Sequence, residues 1–225
     1  MKTVIILLSM IIASGVSAQS YSILCKEAAE AYKAGKYTLA LEKYKAARKA
    51  AATAAQKYRI IPAQITIYQK MKKYPELDKF LEQERQDDSY NNIQMRYLLN
   101  RSAGIHIWPR RDMRYAMVLL TMARLLPVPQ TDNTYYNTYF LLGEIFRRNG
   151  QYDYIIYYLS PLPEIKNFHP SNSYNISMMI ARAYRAKGDK KMALKWSRKA
   201  LESGKKVPYK YNYSEAQRFI KELSK

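Results

Sequence analysis

The chain has 225 residues, a hydrophobic content of 48% that is ordinary for a folded protein, and a formal net charge of +20 that favours anionic partners. Its seven glycines are few, which favours a helix-rich fold, and its single cysteine excludes an internal disulfide. The two histidines lack partners at metal-ligand or proton-relay spacing, and neither a phosphate-binding glycine loop nor a nucleophile elbow occurs, so we predict no enzyme activity, no cofactor and no metal site.

Residues 1–18 have the pattern of an export signal. Lys2 provides a positive start, the run 4–12 is apolar but too short to span a membrane, and residues 16–18 are suited to cleavage. Removal of this segment would leave a mature chain that begins at Gln19 and has no transmembrane segment. We therefore expect a protein that is exported, either to the periplasm or as a secreted protein, in a Gram-negative bacterium.

After the signal, pairs of helices with one apolar face are separated by residues that break the helix. Gly35, Gly150 and Gly188 are the clearest breaking positions, because glycine tolerates the left-handed backbone that ends a helix. Gly35 and Gly188 are 153 residues apart, which is four periods of about 38 residues. We predict five hairpins, at roughly 21–52, 57–87, 89–127, 132–163 and 172–204, and a capping helix at 214–224.

Tyrosines repeat in the same register. They stand fourteen residues before each breaking position, with spacings of 37, 39, 39 and 38 residues. We expect each of them to pack the start of a helix against the preceding hairpin. The five positions are Tyr21, Tyr58, Tyr97, Tyr136 and Tyr174.

Residues 139–159 form the clearest predicted hairpin. Gly143 has no side chain, so a partner helix can approach this position closely. The stretch reads Leu-Gly, an aromatic residue three positions later, and then Gly-x-Tyr, and this order resembles the motif of the tetratricopeptide repeat (TPR) family. The second and third hairpins are weaker copies without the glycines. The residues that match the motif are Leu142, Gly143, Phe146, Gly150 and Tyr152.

The resemblance implies an all-α, right-handed α-solenoid of about five antiparallel hairpins that acts as a scaffold and binds a protein or peptide partner. In that family the first helix of each hairpin lines a concave face that holds extended peptides or partner helices. Because arginine holds carboxylates in a bidentate geometry, we expect an acidic partner in a basic groove. By motif position, the candidate face comprises Tyr32, Lys33, Lys70, Asn137, Phe140, Arg147, Arg148, Asn175, Arg182 and Arg185.

The positive charge is concentrated near the end of the chain. Residues 181–225 contain fourteen Lys/Arg and four Asp/Glu, a net charge of +10. A field of this size attracts anionic partners over a distance. The alternative function is therefore electrostatic binding of an anionic envelope polymer, surface or nucleic acid by the basic C-terminal third.

Three local patterns carry further expectations. Residues 102–109 contain Gly104 and Pro109 and should form an irregular turn. The acidic cluster at 82–88 should be a charged face at a helix end. Ser214 followed by Gln217 is a capping-box pattern that should begin the last helix.

Overall fold

The computed structural model describes residues 20–109 and 111–225, so the predicted export signal lies outside the described residues. Within these ranges the chain contains helices and no strand. Helix α1 covers residues 20–33. The helices that follow are α2 (Tyr37–Ala50), α3 (Ala54–Lys70), α4 (Tyr74–Glu84), α5 (Asn92–Ile107), α6 (Met113–Leu125), α7 (Asn133–Arg148), α8 (Tyr152–Leu159), α9 (Pro170–Ala186), α10 (Lys190–Lys205) and α11 (Ser214–Leu223), with one 3₁₀ turn at Leu162–Glu164.

The chain divides into two compact units, and Gln94 ends the first while Met95 begins the second. Within each unit, helices that are consecutive in the chain pack against one another. One cluster of buried apolar residues runs through the second unit from Leu99 to Phe219. The fold class is therefore confirmed as all-α, built from TPR-like helical hairpins. None of the helices in the described ranges is both long enough and apolar enough to cross a bilayer.

Every hairpin turns through one residue with left-handed backbone. The glycines at the predicted breaking positions have φ between 68° and 81°, as expected. The second and third hairpins use Lys72 (φ 55°) and Arg111 (φ 58°) at the same turn. The five turn positions with positive φ are thus Gly35, Lys72, Arg111, Gly150 and Gly188, each fourteen residues after a repeat tyrosine. Asn167 (φ 62°) also has a positive φ, but it lies outside this register.

Four of the five repeat tyrosines contact the segment that follows their own hairpin. Tyr21 donates a hydrogen bond to the carbonyl of Gln56 at 2.9 Å, and the Tyr136 hydroxyl accepts one from Asn175 at 3.1 Å. These contacts run opposite to the direction that we expected. Two further repeat tyrosines make edge-on ring contacts with the following segment, at centroid distances of 5.9 Å for Tyr58 with Tyr90 and 5.2 Å for Tyr174 with Tyr211.

Two local expectations about helix ends are wrong. Helix α5 continues through Gly104 to Ile107, because burial of its apolar side chains outweighs the low helix propensity of glycine. Ser214 is the first residue of α11 and makes no capping box. Asn212 precedes the N-cap residue Tyr213, and its Oδ1 accepts a hydrogen bond from the Ser214 amide at 3.0 Å.

Candidate functional site

Helix α11 forms ion pairs with two of the predicted arginines of α9. Arg182 donates to the carboxylate of Glu215 over 2.6 to 3.0 Å. Arg185 pairs with Glu222 at 3.1 Å, and its guanidinium carbon lies 4.7 Å from the centroid of the Phe219 ring. Both arginines stay partly exposed, so an acidic partner would compete with Glu215 and Glu222 for them.

Other members of the predicted face make contacts within their own unit. Asn175 bridges two tyrosines, since its amide donates to Tyr136 and its oxygen accepts from Tyr211 at 3.2 Å. Arg147 pairs with Glu144 on the preceding turn of α7 at 2.9 Å. These side chains therefore contribute to packing and to local charge neutralisation.

The rest of the predicted face is more open. Tyr32 packs against Tyr37 at a centroid distance of 5.6 Å, and Phe140 packs against Tyr136 at 5.7 Å. Asn137 is half-buried. The exposed cations Lys33 and Lys70 of the first unit and Arg148 of the second make no ion pair with any residue in the described ranges.

Sequence reasoning missed a basic groove in the first unit. It has a volume of about 630 Å³ and lies among α2, α3 and α4. Lys45 and Lys49 of α2 and Lys79 of α4 line it and are exposed. None of the ten predicted face residues lines this groove. Six cations line it against two acids, namely Lys45, Arg48, Lys49, Lys57, Lys73 and Lys79 against Glu76 and Glu84.

A buried ion pair joins α2 to α4 in the lining of this groove. Arg48 lies 2.7 Å from the Glu84 carboxylate, whose side chain is 3% exposed. The Tyr90 hydroxyl donates to the same carboxylate at 2.7 Å and accepts from Arg48 at 3.3 Å. Burial raises the pKa of Glu84, although the Tyr90 hydrogen bond and the Arg48 charge oppose that change, and burial raises the pKa of Tyr90 to about 12. Within the predicted charged face at residues 82–88, Glu84 is therefore buried and paired with Arg48.

Gln64 is an unusual residue in the groove lining. It is 1% exposed, and neither its amide nitrogen nor its amide oxygen has a hydrogen-bond partner among the described residues. A buried polar group without a partner costs about 1–3 kcal/mol. The corresponding positions of the third, fourth and fifth hairpins are buried and apolar, namely Ala103, Leu142 and Ile180. A polar side chain at a core position is the sequence signal that could have revealed this groove.

The groove also has an apolar wall. The rings of Tyr68 and Phe80 lie 5.7 Å apart, and Leu41 of α2 lines the same groove. Such a wall can hold the apolar part of a ligand while the lysines hold its charge. The groove thus combines positive charge, an unsatisfied amide and an aromatic wall.

The histidines make structural contacts. His106 is buried in α5 and meets the Tyr115 ring edge-on at 4.6 Å. The Nδ1 atom of His169 accepts from the Ser171 amide at 3.3 Å, so His169 caps α9. In the described ranges, no three His, Cys, Asp or Glu side chains lie close enough together to hold a metal ion.

The chain is similar in fold to solved structures that include two described below, whereas no family model and no curated protein matches the sequence. A crystal structure of MamA protein is 20% identical to the chain, and the match covers 84% of this chain and 94% of that one, with a TM-score of 0.59. YrrB, described as a TPR protein with an unusual peptide-binding site, is 18% identical, with 81% and 86% coverage and a TM-score of 0.51. At these identities the likeness shows the TPR-like fold.

Proposed function

We propose that this TPR-like chain is an exported, non-enzymatic scaffold that binds an acidic segment of a protein or peptide partner in the basic groove of the first unit. TPR-like hairpin arrays are protein-interaction scaffolds, so the fold supports a protein or peptide ligand. The observation that carries the proposal is the groove lining, which places the unpartnered amide of Gln64 among six cations.

Charge supports an acidic ligand. Lys45, Lys49, Lys73 and Lys79 are exposed, and they make no ion pair with the described residues. Their side chains can fold over a ligand carboxylate without breaking an existing contact. Because exposed charges act over about 8 Å at physiological salt, only a segment inside the groove would feel several of them together.

Gln64 supports a ligand with a peptide backbone. Its amide offers one donor group and one acceptor, and a main-chain peptide group offers the complementary pair. A side-chain rotation toward the groove would allow this pairing and remove the cost of the unsatisfied amide. An inorganic polyanion has no donor for the Gln64 oxygen, so it would leave half of this amide unpaired.

Fluorescence anisotropy with a labelled peptide of alternating Glu and Leu tests the proposal. We expect the triple variant Lys45→Glu, Lys49→Glu, Lys79→Glu to weaken binding by at least about tenfold, which corresponds to about 1.4 kcal/mol. The control variant Lys33→Glu, Lys70→Glu, Arg148→Glu has the same charge change on the sequence-predicted face and should bind nearly as well as the wild type. Loss of binding only in the control would place the site on that face and refute the groove.

Gln64→Leu separates the amide from the charge. Leucine occupies the corresponding position at Leu142, so the variant should fold and be at least as stable as the wild type. It should nevertheless bind the acidic peptide several-fold more weakly. Unchanged affinity would show that the groove recognises charge alone.

Helix α10 favours a second candidate, electrostatic binding of an anionic envelope polymer, surface or nucleic acid. Lys191, Lys195 and Arg198 line a depression of about 640 Å³ together with Met192 and Leu194. Retention on immobilised dextran sulfate should then fall steeply between about 0.05 M and about 0.3 M salt. The variant Lys191→Glu, Lys195→Glu, Arg198→Glu should abolish that retention and leave binding of the acidic peptide intact.

Export is proposed from the sequence of residues 1–18. Expression of the full-length chain in a Gram-negative host, followed by fractionation and N-terminal sequencing, should find a periplasmic or secreted protein that begins at Gln19. A cytoplasmic chain that retains Lys2 would refute it.

A further inference from the structure

Helix α6 is apolar on its exposed face as well as on its buried face. Its exposed stripe has helical spacing, and the fractional exposure is 36% for Tyr115, 54% for Val118, 52% for Met122 and 75% for Leu125. The opposite face is buried in the core of the second unit. Arg114, Thr121 and Arg124 are also exposed on α6, so polar side chains border the apolar stripe. The apolar stripe of a helix is normally buried, and this one lacks a cover.

Helix α8 extends this apolar area. Tyr154 and Tyr157 are 51% and 74% exposed. The guanidinium of Arg124, on α6, lies 5.3 Å from the ring centroid of Tyr158, whose ring meets that of Tyr157 edge-on at 5.0 Å. Arg124 thus links α6 to α8, and we define the α6–α8 surface as the exposed side chains Tyr115, Val118, Met122, Leu125, Tyr154 and Tyr157.

The charges around the α6–α8 surface are positive. Arg111, Arg114 and Arg124 are exposed. Of the nearby acids, Asp112 caps the α6 amide of Tyr115, and Asp153 pairs with Lys187. A ligand for this surface must therefore be apolar and carry negative charge.

A second copy of the chain does not meet this requirement. The second unit contains 23 Lys/Arg and 9 Asp/Glu, a net charge of +14. Self-association through the α6–α8 surface would bring the arginines of both copies together, and like charges oppose that contact.

The exposure pattern favours a flat, deformable ligand. Leu125 and Tyr157 are three-quarters exposed, so they project from the protein and do not line a hollow that could hold a partner helix. Tyrosine rings with a polar hydroxyl suit the boundary between lipid headgroups and acyl chains, and arginines attract anionic headgroups.

We infer that the α6–α8 surface binds peripherally to a bilayer that contains anionic lipid. Val118, Met122 and Leu125 enter the boundary of the acyl chains, the tyrosines lie among the headgroups, and Arg114 and Arg124 lie beside lipid phosphates. The inference is independent of the peptide groove, which belongs to the first unit.

Co-sedimentation of the full chain with vesicles tests this inference. The wild type should bind vesicles of equimolar phosphatidylglycerol and phosphatidylcholine and should bind vesicles of phosphatidylcholine alone only weakly. Two double variants remove apolar area from the contact. One combines Met122→Gln with Leu125→Gln on α6, and the other combines Tyr154→Ser with Tyr157→Ser on α8. Each should lower the partition coefficient about tenfold. Their melting temperatures should match the wild type, since the substituted side chains are exposed.

The control is the double variant Leu39→Gln, Tyr209→Gln. These two side chains lie outside the α6–α8 surface and are 41% and 57% exposed, so the variant should bind like the wild type. Three results would overturn the inference. The first is a wild type that stays in the supernatant with anionic vesicles. This holds if it is a monomer, and also if it is a dimer that the double variant Met122→Gln, Leu125→Gln dissociates. The second is equal binding by all variants, and the third is loss of binding only on charge reversal of Lys191, Lys195 and Arg198.

Discussion

Lys72 and Arg111 adopt left-handed backbone at the turn where the other three hairpins have glycine. For an L-residue this backbone costs about 1–2 kcal/mol, because Cβ approaches the following carbonyl oxygen. The weaker copies of the repeat therefore have the same turn geometry without the residue that is best suited to it. Each holds its turn by the packing of the hairpin.

Lys72→Gly should consequently stabilise the first unit. Relief of the backbone strain exceeds the entropy that glycine loses on folding, so we expect the free energy of unfolding to rise by about 0.5–1 kcal/mol in urea titrations. Lys73→Gly is the matched control, because Lys73 has a negative φ of −87° and gains no such relief. It should lose about 0.5–1 kcal/mol, and equal effects of the two substitutions would contradict the argument.

Glu84 should make stability depend on pH. Its folded pKa is raised by burial, so between the ordinary glutamate value and the raised value the folded chain binds more protons than the unfolded chain. The contribution of Glu84 to stability is therefore complete below the ordinary pKa and is lost as pH rises through the folded pKa.

Glu84→Gln removes this titration. The free energy of unfolding of the wild type minus that of the variant should decrease as pH rises from acid to neutral, measured by urea unfolding at each pH. Glu82→Gln is the matched control, because it makes the same substitution at an exposed position of the same helix. An increase of the difference with pH would mean that the Arg48 charge outweighs burial.

At the scale of elements, Gly143 sets how closely α7 approaches α8 and α9. A Cβ atom at this position would lie 3.0 Å from Leu159 Cδ2 and would overlap Met179 Sδ. The close packing that we predicted from the Leu-Gly pattern is confirmed. Gly204 of α10 is similarly close to Tyr174 and Tyr213.

Gly143→Leu should overpack this contact and lower the free energy of unfolding by about 1–3 kcal/mol. Gly104→Ala in α5 is the control. A Cβ atom at position 104 would lie 3.6 Å from Trp108, which is an ordinary contact, so this substitution should not overpack the core. Alanine should there stabilise α5 by about 0.5–1 kcal/mol through its higher helix propensity. The two substitutions should thus move the melting temperature in opposite directions, and an unchanged value for Gly143→Leu would refute the packing argument.

At the scale of the whole molecule, the charge of +20 opposes the compact state through self-repulsion. We expect the melting temperature to rise between about 0.05 M and about 0.3 M sodium chloride, because salt screens this repulsion. The variant Lys191→Glu, Lys195→Glu, Arg198→Glu should show a smaller rise, since its net charge is lower. A fall in melting temperature with salt would show that the surface ion pairs outweigh the repulsion.

The repeat fold could be predicted from the sequence because its signals are local. Apolar spacing, breaking glycines and the tyrosines at 37 to 39-residue intervals are properties of neighbouring residues, and they indicated an all-α array of TPR-like hairpins. The same register also holds at the two turns without glycine, because Lys72 and Arg111 lie fourteen residues after a repeat tyrosine. A repeat period is read along the chain and does not depend on tertiary contacts.

The site depended on tertiary contacts and could be predicted only in part. Arg182 and Arg185 have the residue type and helix position that are typical of a binding face. In the fold they form ion pairs with Glu215 and Glu222, which lie 33 and 37 residues further along the chain. In the same way Arg96, a charged residue, is buried because its guanidinium donates to the carbonyls of Ala123 at 2.7 Å and Leu126 at 2.7 Å at the end of α6.

The sequence by itself determined the class of fold, the period of the repeat, the turn positions and the sign of the charge, because each of these is a sum or a pattern along the chain. Only the tertiary structure decided which charges are neutralised, which polar groups are buried and which apolar faces stay open. Glu84 is buried beside Arg48, Gln64 lacks a partner, and Leu125 is exposed because helices distant in sequence pack, or fail to pack, at those points. Burial and pairing are properties of neighbours in space, and the sequence does not list those neighbours.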